Sequence, residues 1–198
     1  MSDSLGRRSL ARAAAGLALE NDLSLPVLAL FTDEDRLPDP VGAAKKMPFG
    51  SLVVARARDR KKRERLVEGL LPVAKSRNLI LLVADDAVLA ARADGLHLPE
   101  VRAAEAGHWR ARSPHWLITA SAHSPRTFLR SDADAFFISP LFATKSHPDR
   151  AALTKLRAAA FARLTVKPVY ALGGITARNA SALHGLGFAG IAAVAALA

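Results

Sequence analysis

The stretch at residues 167–197, KPVYALGGITARNASALHGLGFAGIAAVAAL, decides how the chain is organised. It opens with an apolar run at 168–172, of a length that suits a strand buried on both faces. Gly173 and Gly174 follow at once, and Thr176 stands where an N-cap would start a helix over ARNASALHGL at 177–186. A second apolar run at 188–194 closes the unit. Strand, glycine turn, helix and strand in that order predict a right-handed parallel crossover. The glycine pair carries two readings. Lacking Cβ atoms, its backbone N–H groups can approach a phosphate-sized anion, helped by the dipole of the helix that follows. The other reading is a tight turn after a strand. A nucleotide fingerprint is not expected, and G-x-x-x-x-G-K-[ST] is absent.

Working outward, 198 residues with 51% hydrophobic side chains suffice for one sizeable core and not for two comfortable domains. The absence of cysteine rules out disulfides and thiolate metal sites. No window approaches the roughly 18 uninterrupted apolar residues of a membrane span. The opening residues, MSDSLGRRSLARAAAGLALENDL, carry arginines and an apolar patch that Glu20, Asn21 and Asp22 interrupt. Their periodicity suits an amphipathic helix better than a signal peptide. A cytoplasmic location without membrane contact is expected. The net charge is +10, from 28 basic and 18 acidic side chains, and much of the excess lies in RARDRKKRER at 56–65. Such a block grips nucleic acid when aromatics accompany it, but only 11 of 198 residues are Phe, Trp or Tyr. A solvated helix start beside an anion site is the expectation, with no nucleic-acid partner.

Apolar runs recur along the chain, and strands are expected to begin near residues 27, 51, 78, 94, 115, 134, 168 and 188. Helices or helix-sized gaps separate them, which implies a parallel sheet. Eight such units predict a compact α/β fold, a closed (β/α)₈ TIM barrel, spanning 1–198 with an N-terminal helical extension at 1–25. No residues follow the eighth strand to form a last outer helix. The N-terminal helix, through Leu5, Leu10, Leu17 and Leu19, or a partner subunit in a homodimer, is expected to cover that face. Chemistry then collects at the C-terminal strand ends.

Five segments, ADGLHL (93–98), ITASAHS (118–124), DADAFFISPLFAT (132–144), KPVYALGGI (167–175) and GFAGIAAVAAL (187–197), together resemble the thiamine phosphate synthase/TenI family. They stand in the family's order, and Thr32-Asp33 fits its first strand. The resemblance implies a (β/α)₈ barrel and a phosphorylated small-molecule substrate. It also implies that Gly173 and Gly174 hold a thiazole phosphate, with position 195 on the eighth strand contributing; Ser121, at the end of the fifth strand, is a further candidate for binding phosphate or substrate. Synthases of this family join a pyrimidine diphosphate to a thiazole phosphate and expel pyrophosphate. For the diphosphate and its Mg²⁺ they use Q-x-R-x-K after strand two, Asn-Asp after strand three, an aspartate after strand four and a T-x-T-K-like loop after strand six.

Here the chain departs from that pattern. The second-strand motif reads Val54-Ala55-Arg56-Ala57-Arg58, so the Gln is lost, Arg56 is kept and Arg58 replaces Lys. Asn-Asp becomes Ala84-Asp85, with Asp86 adjacent. The segment from His97 to Arg102 places no aspartate after strand four; Glu100 is the nearest carboxylate. The loop reads Thr144-Lys145-Ser146-His147, and the phosphate-holding serine of strand eight is Ala195. Arg56, Arg58, Thr144, Lys145 and Ser146 remain suited to a polyanion, whereas Asp85 alone makes a thin Mg²⁺ site. No cofactor is expected beyond Mg²⁺, and that only for a synthase.

His123, after the fifth strand, is the expected catalyst, because an imidazole moves protons near neutral pH and the corresponding TenI histidine serves as acid/base. A barrel-top histidine bonded to a loop backbone is the competing reading. His97 is expected to be structural, and His108, His115, His147 and His184 form no i, i+4 metal pair. The first functional expectation is therefore a TenI-like thiazole tautomerase with a degenerate diphosphate/Mg site. An active thiamine phosphate synthase and a non-catalytic phosphometabolite-binding barrel are the alternatives.

Overall fold

The structure, a computed structural model, describes residues 2–20, 25–142 and 153–197. Eight strands, β1 (Leu28–Phe31), β2 (Leu52–Ala55), β3 (Ile80–Ala84), β4 (Gly95–Leu98), β5 (Leu117–Ala122), β6 (Ala135–Ile138), β7 (Val169–Leu172) and β8 (Gly190–Ala193), form a closed parallel barrel in chain order. Each begins one or two residues after the expected position. The sheet closes by pairing β8 with β1 in the register Leu28↔Ile191, Ala29↔Ala192, Leu30↔Ala193. The intervening helices are α1 (Ser2–Glu20), α2 (Pro40–Lys45), α3 (Arg60–Arg77), α4 (Ala87–Ala90), α5 (Ala106–Arg112), α6 (Pro125–Arg130) and α7 (Lys155–Ala162). Among the described residues, no helix is long and apolar enough to cross a membrane.

Strand residues alternate between the barrel interior and the layer under the helices. Ala29, Phe31, Leu52, Val54, Leu82, Ala135, Phe137, Tyr170 and Ala192 pack together inside. Their neighbours Leu28, Leu30, Val53, Leu81, Val83, Phe136 and Ile191 belong to the outer core. The interior is filled by aromatic rings set against very small residues. Phe31, His97 and Phe137 meet edge-to-face with centroids 4.8 to 5.5 Å apart, and Tyr170 stacks on Phe137 at 4.8 Å. Gly190 makes room for this: a Cβ there would lie 2.5 Å from the Val27 carbonyl oxygen and 2.6 Å from the Tyr170 ring. The Tyr170 hydroxyl donates to the Pro26 carbonyl at 2.5 Å, and burial pushes its pKa up. At the opposite end of the strands from the loops that carry chemistry, Asp94 accepts the Leu81 N–H and Asp134 the Ile118 N–H, at 2.8 and 2.7 Å. Each carboxylate thus ties the start of one strand to its neighbour.

The helix α1 lies against β8 and the 3₁₀ turns at Ala180–Leu183 and Ala195–Leu197. It therefore covers the flank of β8, where an eighth outer helix would pack. Leu10, Ala14 and Leu17 are fully buried on its inner side, and Gly16 admits the His184 ring against the helix backbone. The side chains of Leu5 and Leu19 lie outside those described.

Two features of the closing unit differ from expectation. Residues 177–186 do not form an α-helix; only a 3₁₀ turn at Ala180–Leu183 is present, and Thr176 is not its cap. The reason is local competition for backbone groups. The Asn179 side chain accepts the Thr176 N–H at 2.7 Å and donates to the Gly174 carbonyl at 2.9 Å, tying the segment into a turn. Gly185 and Gly187, at φ 72° and 87°, then end any helical run. The string Gly185-Leu186-Gly187-Phe188-Ala189-Gly190 does have G-x-G-x-x-G spacing. It runs into a strand at the barrel base, whereas a dinucleotide turn leaves a strand for a helix, so no nucleotide reading follows.

The buried His97 links Thr119 and Ser121 across the interior, with Nδ1 2.9 Å from Thr119 Oγ1 and Nε2 3.1 Å from Ser121 Oγ. Burial, reinforced by the Arg56 charge, lowers its pKa to about 3. The unfolded chain binds a proton at this residue near pH 6.5 and the folded chain does not. Stability should therefore fall as pH drops from about 6.5, at up to about 1.4 kcal/mol per unit for this one group. Urea titrations between pH 6.5 and 5 check this; His97→Gln should flatten the profile, and an unchanged slope would refute the assignment. Leu10→Ala should cost about 2–5 kcal/mol in the same measurement, and a loss below about 1 kcal/mol would mean that α1 is not part of the core.

Candidate active site at the barrel mouth

The C-terminal strand ends carry three groups of polar side chains. The first joins the loops after β1 and β2. Thr32 Oγ1 accepts the Arg56 N–H at 2.7 Å and donates to the Arg56 carbonyl at 2.9 Å, locking the two strand ends together. Asp33 then receives Arg36 at 2.7 Å and Arg56 at 2.5 Å. Glu34 receives Lys62 at 3.1 Å and the Arg58 N–H at 3.0 Å, and Asp35 pairs with the Arg58 guanidinium. Partial burial opposes ionisation of Asp33, yet Arg36 and Arg56 outweigh it and hold its pKa down at about 2. Lys62 and the Arg58 N–H likewise hold Glu34 below the usual carboxylate range. Arg56, Arg58 and Lys62 of the basic block are therefore matched by Asp33-Glu34-Asp35 of the preceding loop, a pairing their sequence separation conceals. Arg56 and Arg58 do face the mouth, Arg58 largely exposed.

The second group joins β3 to β4. Asp85 takes a left-handed conformation, φ 54°, and its N–H donates to the His97 carbonyl at 2.9 Å. Its carboxylate meets Arg102 Nη1 at 2.5 Å. Glu105 grips the other edge of the same guanidinium, Oε1 to Nε at 2.8 Å and Oε2 to Nη2 at 2.6 Å. Asp86 is turned away: it caps α4 through the Leu89 N–H at 3.1 Å and faces Arg60 at 3.2 Å and Arg63 at 3.7 Å. The expected Mg²⁺ donors do not fit the ion. Mg²⁺ is usually held by one or two carboxylates together with substrate phosphates, whereas Asp85 already carries the Arg102 guanidinium and Asp86 faces Arg60 and Arg63. Among the described residues, no three His, Cys, Asp or Glu side chains converge on a metal position.

The third group spans β4 to β7 and centres on His123. Its Nδ1 lies 2.7 Å from the Ser139 carbonyl, which requires the proton on Nδ1 and leaves Nε2 as the acceptor in the neutral ring. Glu100 holds the loop in place. Its Oε1 accepts the N–H groups of His123 and Ser124 at 2.8 and 2.9 Å, and the hydroxyls of Thr127 and Ser124 at 2.5 and 3.2 Å. Burial opposes the charge on Glu100, but Thr127, the His123 N–H and Ser124 bring its pKa below the usual range. Glu100 is thus an anchor rather than a metal ligand, and it was not singled out for this role from sequence. The cis Ser139-Pro140 pair then connects His123 to the glycine turn. Leu141 N–H donates to the Leu172 carbonyl and Phe142 N–H to the Gly173 carbonyl, both at 3.1 Å. Gly173, φ 94°, packs so closely on Pro140 that a Cβ would come within 2.9 Å of its Cα. Gly174 follows at φ 67°.

Of the remaining expected site residues, Ser121 is half-buried and spends its hydroxyl on His97. Ala195 is exposed, at the start of the 3₁₀ turn after β8. Thr144, Lys145, Ser146 and His147 lie outside the described residues. Because the turn after Gly174 is 3₁₀ and brief, no helix dipole supports an anion there; among the described residues, the backbone groups of the glycine turn are what it offers an anion.

Residues 32–197 match the family model described as thiamine monophosphate synthase. The thiamine-phosphate synthase of Koribacter versatilis is 31% identical over 194 residues, covering 89% of this chain and 91% of that protein. The one from Chlorobium luteolum is 29% identical over 180 residues, covering 87% and 85%. Among solved structures, a thiamine phosphate pyrophosphorylase from Pyrococcus furiosus superposes with TM-score 0.67 at 22% identity over 84% of each chain, a likeness of fold. The family match begins directly after β1 and takes in β2 to β8 with all the loops of the mouth described above, and with it the chain belongs to the thiamine monophosphate synthase/TenI family.

Proposed function

We propose that this protein is a thiamine-biosynthetic enzyme that seats a phosphorylated thiazole at the ends of β7 and β8. The observation that carries the proposal is the corner where Gly173 packs on Pro140 while Ser139 fixes the His123 ring. Formation of thiamine phosphate with release of pyrophosphate is the first reading, because the relatives are named for it and their identity extends along most of the chain. That moves the joining reaction ahead of the tautomerase expected from the TenI resemblance. A nitrogen–carbon bond forms between the two rings as the carbon–oxygen bond to the diphosphate breaks, and the electron pair leaves with pyrophosphate. Gly173 and Gly174 would hold the thiazole phosphate by backbone N–H groups, with Ser121 and Ala195 bordering the seat. Arg56 and Arg58 would meet the departing pyrophosphate by exchanging their present carboxylate partners for it. Thr144, Lys145 and Ser146 are assigned to the same anion from sequence.

Tautomerisation of a thiazole carboxylate phosphate is the second reading, and the state of His123 favours it. With Nδ1 committed to a carbonyl, Nε2 can take a proton from one ring position and return it at another. This reaction asks nothing of the diphosphate half of the mouth.

Purified protein given both substrates should release pyrophosphate and form thiamine phosphate, at a rate that a turnover of about 1 s⁻¹ would place among ordinary enzymes. If no product forms while tautomer exchange proceeds and falls roughly 10²–10⁴-fold in His123→Ala, the second reading replaces the first. Neither activity, with thiazole phosphate still bound, would leave a binding protein. Calorimetry tests the seat separately: Gly174→Val should abolish thiazole phosphate binding, since a β-branched residue at φ 67° displaces the turn. Undiminished binding would refute the glycine assignment.

A further inference from the structure

The site where the ends of β3 and β4 meet holds a cation supplied by the chain itself. Arg102 Nη1 contacts Asp85 at 2.5 Å, and Glu105 closes on Nε and Nη2 at 2.8 and 2.6 Å. Three of the five guanidinium N–H groups are thereby engaged, and one on each of Nη1 and Nη2 remains. Carboxylates on two edges fix the plane of the guanidinium, which is still about one-third exposed. The neighbouring carboxylates are otherwise committed, Asp86 to the start of α4 and Glu100 to the His123 loop.

We propose that Arg102 is an anion-binding residue that takes the place of a divalent cation, so that this side of the mouth binds a phosphate-bearing ligand without metal. A planar fork with two outward N–H groups suits two oxygens of one phosphate. The Asp85 backbone, at φ 54° and bonded to the His97 carbonyl, keeps its carboxylate on Arg102. A divalent ion placed on Asp85 would lie against that guanidinium and be repelled by it. The inference uses the mouth described above only for its location, and it holds for either reading of the reaction.

Inorganic pyrophosphate serves as the probe, with calorimetry on the intact protein. Wild type should bind it in EDTA at least as tightly as in millimolar Mg²⁺, which itself complexes part of the pyrophosphate. Arg102→Gln should weaken binding at least about tenfold, the worth of one charge-assisted pair, with thiazole phosphate affinity unchanged. Mn²⁺ titration followed by electron paramagnetic resonance supplies an independent reading. Wild type should leave Mn²⁺ free, whereas Arg102→Asp, which sets a second carboxylate beside Asp85, should bind it. The proposal is overturned if Mg²⁺ tightens pyrophosphate binding tenfold or more, if Arg102→Gln binds pyrophosphate like wild type, or if wild type binds Mn²⁺ and Asp85→Asn abolishes it. Arg102→Lys controls for charge: it should retain folding but only part of the affinity. Failure of thiazole phosphate to bind would remove the proposed function and leave these outcomes as they stand.

Discussion

Closure of the sheet between its last and first strands is the constraint on which everything else rests. Ile191 N–H reaches the Val27 carbonyl at 2.8 Å, and the β1–β8 register puts Ala192 beside Ala29. That approach is open only because position 190 has no side chain: the space a Cβ would need is taken by the Val27 carbonyl and the Tyr170 ring. Tyr170, Phe137, Phe31 and His97 then fill the interior in mutual contact, so closure and filling are one event. The ends of eight strands are brought to a common rim, and loops far apart in sequence become neighbours. A barrel of this kind is a packed core with a reactive rim.

On that rim, electrostatic pairing is largely internal. The β1 loop turns Asp33, Glu34 and Asp35 towards Arg56, Lys62 and Arg58, and the β3 and β4 ends enclose Arg102 between Asp85 and Glu105. Exposed pairs of this sort contribute little stability, a median of about 0–1 kcal/mol each. Their consequence is for binding, since an incoming polyanion must replace carboxylates already in place. A net positive chain thus presents a mouth whose arginines, though exposed, are held in prepared positions by carboxylates.

The β5–β7 corner works differently, through neutral groups and backbone. Glu100 gathers four donors and so holds the His123 loop, Ser139 orients the imidazole, and Pro140 presses on Gly173. A proton carrier and a glycine turn are coupled through two consecutive residues. Movement of the β6 loop would shift both, which ties any chemistry at His123 to the occupancy of the turn beside it.

The sequence by itself determined the barrel. Short buried apolar runs recur at regular spacing, and a parallel strand buried on both faces can be read from hydrophobicity alone. It also determined which residue types stand at the strand ends, because those follow the runs directly, as Asp85 follows Val83-Ala84 and Gly173 follows Leu172. What only the tertiary structure decided is which of those groups are free to act. Arg56 and Arg58 read as a clamp until the β1 loop is seen to neutralise them, and Asp85 as a metal ligand until Arg102 is found on it. Glu100 became an anchor through contacts 23 to 27 residues away. The helix expected over 177–186 gave way to Asn179, whose side chain competes for the backbone more effectively than helical bonding does in a short glycine-flanked segment. The physical reason is common to all of these. Hydrophobic burial is additive and visible in local pattern, whereas the fate of a charge or a polar hydrogen depends on the partner that folding brings within 3 Å.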